Sequence, residues 1–232
     1  MKKFLKLFPL YGIIPALLLW VAHFVSYYTS KGLYAVIDFR WFDFTTAFDR
    51  WVPVIPAFII IYIGSYVWWA FSFFYGANAS KERFYTFWTS SMIVYAVCLI
   101  IYIAVPTTLN RYVADPNAGI FERFMNMIYE ADTPTNLFPS MHCTASWLCY
   151  KVMWKAKTED GKDACPVWLQ WLALVMAILI CVSTQVVKQH YIVDVISAIA
   201  IVELVWFFVK RFKLYAKPQA MLEKLNAKLK ME

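Results

Sequence analysis

The chain has 232 residues, 62% of them hydrophobic and only 16% charged, which excludes an ordinary soluble globular fold. Its formal charge of +7 is carried by lysines and arginines gathered at the ends of apolar runs. That distribution fits an anionic lipid surface and argues against a nucleic-acid partner.

The uncharged runs predict the elements in order. Stretches 7–30, 51–80, 84–110 and 164–187 each exceed the ~20 residues a helix needs to cross a bilayer. The run 133–150 is shorter, and its helix is expected to extend through Lys151 and Lys155, whose stems reach the interface. The last run, 189–209, is broken only by Asp194 and Glu203. The predicted fold class is therefore all-α: one polytopic domain over 1–232 with six transmembrane helices. The first apolar run is read as a retained helix, since it is long for a signal peptide and no small-residue cleavage site follows it. Residues 31–50, with Trp41, Phe42, Phe44 and Arg50, read as an aromatic element in the membrane interface. Residues 107–136 read as a polar loop. The segment 211–232 reads as a basic amphipathic tail, with Leu222, Leu225 and Leu229 at helical spacing. Cysteines 98, 143, 149, 165 and 181 show neither metal nor disulfide spacing and read as apolar filler.

Positive charge sets the expected orientation. With the N-terminus inside, sixteen of the 22 basic residues are cytoplasmic, Lys2, Lys3 and Lys6 among them. Lys31, Arg40, Arg50, Arg111, Arg123 and Lys188 lie outside. Both termini are then cytoplasmic, in a multi-pass protein of the plasma membrane, and three polar segments distant in sequence converge on the outer face.

Those segments carry the candidate chemistry. His190 and Asp194 are four residues apart, so they share one helix face. The carboxylate is expected to accept from Nδ1 of the imidazole, leaving Nε2 as a nucleophile. The other reading is a satisfied polar pair near the headgroups. His142 follows Pro139-Ser140, a helix-start signal with Ser140 near the N-cap. The free N–H groups of that helix start suit a phosphate, and His142 beside them can protonate a leaving oxygen. Arg111 and Lys188 are the outer cations nearest the two islands and the candidate phosphate ligands. Asn110, Asn136 and Thr184 are further hydrogen-bonding candidates. His23 reads as a polar contact between helices, and Glu203 as a packing contact turned away from the site.

These residues resemble the type-2 phosphatidic acid phosphatase superfamily. Its signatures are Lys-x6-Arg-Pro, Pro-Ser-x-His and Ser-Arg-x5-His-x3-Asp. The second stands intact at Pro139-Ser140-Met141-His142; the third appears from Ser183-Thr184 to His190 and Asp194, and the first from Ala104 to Arg111-Tyr112. The resemblance implies a phosphohistidine on His190, orientation by Asp194, protonation of the departing alkoxide by His142, phosphate binding by Arg111, and no metal or other cofactor. The implied function is a membrane lipid phosphatase acting on a phosphatidate, phosphatidylglycerophosphate or prenyl-diphosphate type of substrate. The chain departs from the pattern at Ala104, Tyr112 and Thr184, and two phosphate-binding cations are lost with them. Fewer charges suit a phosphodiester, and Lys188-Gln189-His190-Tyr191 also resembles the inositol-phosphoceramide synthase branch. A headgroup phosphotransferase is thus the alternative; a non-catalytic lipid transporter or scramblase is the alternative of another class.

Overall fold

The computed structural model describes residues 9–231. Lys2, Lys3 and Lys6, counted toward the inner face, lie outside them. Among the described residues there are nine α-helices and no β-strand: α1 (Ile13–Tyr34), α2 (Ala47–Trp51), α3 (Ile59–Ala77), α4 (Lys81–Ala104), α5 (Ile120–Ala131), α6 (Met141–Met153), α7 (Val167–Val186), α8 (Ile192–Arg211) and α9 (Ala216–Lys228). Short 3-10 turns precede α1 and α3. Five of the helices, α1, α3, α4, α7 and α8, are long and apolar enough to cross a membrane.

α6 is the hub. It packs against α3, α4, α7 and α8 at once, and ten of its 13 residues are buried. At 1.5 Å per residue it is about 20 Å long, short of a hydrocarbon core of about 30 Å. The expected extension through Lys155 is not made. The helix ends at Met153, and Lys155 turns into the left-handed region with φ of 50°. Arg83 of α4 is the reason. Its guanidinium donates to the carbonyls of Lys151 (2.5 Å), Val152 (3.2 Å) and Trp154, taking up acceptors the helix end leaves free. The side chain of Gln170 then accepts from the Lys155 N–H at 2.8 Å. Gly76 of α3 lets this helix approach, since a Cβ there would lie 2.8 Å from Val152 Cγ2. Glu203 has the expected packing role: it receives Lys151 Nζ at 2.7 Å and Trp147 Nε1 at 2.8 Å.

Two segments differ from the expected loops. Within 107–136, the spacing of Ile120, Phe121, Phe124, Met125 and Ile128 makes an amphipathic helix, α5, which buries Met125 against Ile59 and Tyr62. In the aromatic element, Thr46 and Asp49 form a capping box that starts α2. Asp49 also accepts from Ile192 N at 2.7 Å and so secures the start of α8. In the tail, α9 buries Leu222 against α4, while Leu225 and Leu229 stay exposed.

α1 leans on α4 and makes almost no contact with α3. The gap between α1 and α3 leads to the N-terminal end of α6.

Candidate active site at the start of the sixth helix

Ser140 is the N-cap of α6 as expected, its Oγ accepting from Cys143 N at 3.3 Å. The preceding Phe138-Pro139 bond is cis. The cap sets His142 in the first turn, where its ring is held on three sides. Tyr62 stacks on it with centroids 4.1 Å apart, and Trp69 and Tyr66 stand at 5.2 and 5.5 Å. Nδ1 of His142 shares a 3.3 Å hydrogen bond with Tyr62 Oη. Nε2 has no partner although the residue is 8% exposed, and it borders a cavity of about 870 Å³.

His190 reaches the same cavity from the tight connection between α7 and α8, its ring centroid 6.4 Å from that of His142. Two backbone bonds, from Gln189 N and His190 N to the carbonyl of Thr184, fold that connection. Nδ1 of His190 lies 3.1 Å from Asp194 Oδ2 and 3.0 Å from the carbonyl of Leu137. Both are acceptors only, so Nδ1 carries the proton and Nε2 presents a lone pair. Burial disfavours the imidazolium of His190, but the hydrogen bond and charge of Asp194 outweigh it and hold the pKa above the ordinary histidine value. Asp194 Oδ2 also accepts from Tyr191 N at 2.9 Å, which locks the carboxylate against the helix start.

The candidate phosphate ligands are distributed differently from expectation. Arg111 donates Nη1 to Gln189 Oε1 at 2.9 Å and Nη2 to the carbonyls of Asp132 (2.6 Å) and Tyr129 (3.4 Å), and its plane covers the Tyr129 ring. It sits behind Gln189, away from the cavity wall. Arg111 fixes the amide oxygen of Gln189, which borders the cavity with its amide nitrogen buried and without a partner. Gln189 is the residue that motif reading passes over. Lys188 turns to the opposite side: with φ of 54° it sends its ammonium onto the carbonyls of Asp49 (2.7 Å) and Val52, at the end of α2. Lys188 borders a smaller cavity, which His190 also lines, and not the main one. Ser140 is fully buried and spent on its cap.

Asn136 borders the cavity with Oδ1 unpartnered, while Asn110 lines a smaller cavity of about 320 Å³ on the Lys188 side. Thr184 is buried, its hydroxyl donating to the carbonyl of Cys181. His23 packs its ring against Trp69 of α3 and Tyr95 of α4, a contact between helices, and also borders the main cavity; all three histidines of the chain therefore meet one chamber. Asp132 is the only Asp, Glu, Lys or Arg among its lining residues.

The family model described as the PAP2 superfamily matches residues 31–208, more than three quarters of the chain. No curated protein and no solved structure matches it.

Proposed function

This chain belongs to the PAP2 superfamily, and we propose that it is an integral-membrane enzyme cleaving a lipid phosphate ester through a phosphohistidine on His190. The observation that carries the reading is the pinned tautomer: Nδ1 of His190 faces two acceptors, which leaves Nε2 without a proton, on a ring that borders the chamber shared with His142.

The lone pair of Nε2 attacks phosphorus as the bond from phosphorus to the lipid oxygen breaks. Protonated His142, its Nδ1–H directed at Tyr62 Oη, gives its Nε2 proton to the departing alkoxide. In the second half, water or an acceptor hydroxyl attacks phosphorus, His142 takes up that proton, and the bond from phosphorus to nitrogen opens to restore His190. Gln189 Nε2, the first N–H groups of α6 and the field of Arg111 behind Gln189 stabilise the phosphoryl oxygens. Asp194 acts as the positioning residue of His190.

Water as the acceptor makes a phosphatase, and the breadth of the superfamily favours that outcome. Transfer to a second lipid's hydroxyl is the other reading, favoured by the absence of lysine and arginine from the chamber lining. In either case the charge asymmetry supports cytoplasmic termini, with α6 as a sixth, short crossing whose site end faces outward.

Purified protein incubated with phosphatidate, a prenyl diphosphate and a choline- or inositol-bearing phospholipid tests this directly. Free phosphate marks hydrolysis; a new headgroup on added diacylglycerol or ceramide marks transfer. His190→Ala and His142→Ala are expected to abolish both products while inserting normally. Product formation in His190→Ala at the wild-type rate refutes the assignment, and lipid flux independent of both histidines would support a transporter.

A further inference from the structure

The chamber is much larger than a phosphate needs. From the histidines it runs between α1 and α3 to Ala16 and Leu17 at one wall and Ala70 and Phe73 at the other. Ala16 to Tyr28 spans about 18 Å of α1, so the cavity follows most of the helix. Its two ends differ in chemistry. The histidine end offers Asp132, Thr133, Thr135 and Asn136; the far end is aliphatic and aromatic. Leu17 and Trp20, at the mouth of the gap, are 60% and 66% exposed.

One polar group interrupts the apolar part. His23 lies on the wall of the gap with its ring against Tyr95 (5.3 Å) and Trp69 (6.3 Å), and makes no hydrogen bond to any described residue. The same Trp69 indole also lies against His142, at 5.2 Å. His23 therefore stands one indole ring away from the reacting end, where the chain of a bound lipid joins its polar backbone.

We propose that the α1–α3 gap is the binding slot for the hydrocarbon chain of a glycerolipid phosphate ester, and that His23 is a specificity-determining residue donating an N–H to an ester carbonyl of that lipid. This rests on the catalytic reading above only for where the phosphate sits. A single imidazole donor in an apolar slot discriminates by what it leaves unpaired. A glycerolipid satisfies it; a plain alkyl or prenyl phosphate fills the slot but leaves His23 without an acceptor.

Three substrates and two substitutions separate these contributions: phosphatidate (chain and ester), dodecyl phosphate (chain only) and phenyl phosphate (neither). Ala70→Trp, which fills the slot, should lower kcat/KM for dodecyl phosphate relative to phenyl phosphate about tenfold. His23→Leu should lower phosphatidate relative to dodecyl phosphate about fivefold, with His23→Gln restoring part of it. Each ratio is taken within one preparation, so loss of folded protein cancels. Ratios within twofold of wild type overturn the proposal. A second measurement frees the slot from the chemistry: dodecyl phosphate should raise the melting temperature of His190→Ala, and the added Ala70→Trp should remove that shift. If His190→Ala keeps its turnover while that pattern holds, the phosphohistidine reading falls and the slot stands. If the melting shift survives Ala70→Trp, the slot falls whatever His190 does.

Discussion

Gln189→Met tests how this site holds an anion. Gln189 borders the chamber with its amide buried, the oxygen held by Arg111 at 2.9 Å and the nitrogen left with nothing to pair to. Methionine keeps the length and removes the donor. A hydrogen bond to a charged partner contributes about 1.5–3 kcal/mol, and at about 1.4 kcal/mol per factor of ten this is a loss of roughly 10- to 150-fold in kcat/KM. Gln189→Glu should lose more. One carboxylate oxygen would satisfy Arg111 while the other turned negative charge on the phosphoryl group. Both variants are to be compared with wild type by steady-state hydrolysis or transfer in detergent, with kcat and KM resolved separately. Loss in kcat assigns the contact to the transition state, whereas loss in KM alone assigns it to ground-state binding. A Gln189→Met enzyme within twofold of wild type, or a Gln189→Glu enzyme more active than Gln189→Met, would refute the relay from Arg111 through Gln189.

Three further predictions follow from other parts of the fold. In the proposed mechanism attack needs neutral Nε2 on His190, whose pKa is held above the ordinary 6.5, so the acidic limb of the pH profile should have its midpoint above that value. Asp194→Asn removes the charge that raises it; the acidic limb of kcat/KM should move to lower pH while the rate falls about 10²- to 10⁴-fold, and an unmoved limb counts against the pairing. Gly76→Ala forces a methyl group to 2.8 Å from Val152, a stiff and fully buried side chain. Thermal unfolding in detergent should register a cost of about 1–3 kcal/mol, relieved when Val152→Ala is added. For topology, all five native cysteines are buried; a cysteine at Asn117 should react with an impermeant maleimide on intact cells and one at Asp160 only after permeabilisation, the reverse pattern inverting the orientation.

Run length and spacing made much of this legible. The five long helices follow from uninterrupted apolar runs, and the His190–Asp194 pair from a separation of four. The Ser140 cap follows from Pro-Ser ahead of an apolar segment. The length of α6 was not legible, because an apolar run does not say whether lipid or other helices cover it. What stops it is Arg83, a residue in another helix, and no local signal in 150–155 announces that. The shell around His142 was hidden for a related reason. Tyr62, Tyr66 and Trp69 lie in a segment aromatic on every side, so the face turned toward a histidine looks like the faces turned toward lipid. α5 was legible and passed over: its apolar residues recur at helical spacing inside a segment that average polarity marks as loop. The direction of Lys188 was not legible, because sequence proximity to His190 says nothing of a left-handed residue that turns the side chain onto the end of α2.

The charge around the chamber bears most directly on what reacts there. The superfamily pattern surrounds phosphate with cations; here two of those positions hold Ala104 and Thr184, and Tyr112 stands where the pattern has proline. Thr184 is sealed between Cys143 and Cys181, and Tyr112 is bonded to Glu122. Of the two cations that remain, Lys188 is engaged with the end of α2, and burial lowers the pKa of both Lys188 and Arg111. In the proposed mechanism the anion meets dipoles, the first N–H groups of α6 and the amide of Gln189, and the single positive charge of protonated His142. Dipoles stabilise one negative charge far better than two, and a phosphate diester carries about one where a monoester carries ~1.5 to 2. On the proposed function this charge distribution favours a diester or a singly ionised monoester among lipid phosphates. If hydrolysis of a monoester is the reaction, loss of the singly ionised substrate past its second ionisation, near pH 6, should oppose the rise set by His190 and give a rate maximum, whereas a diester would lack that substrate limb.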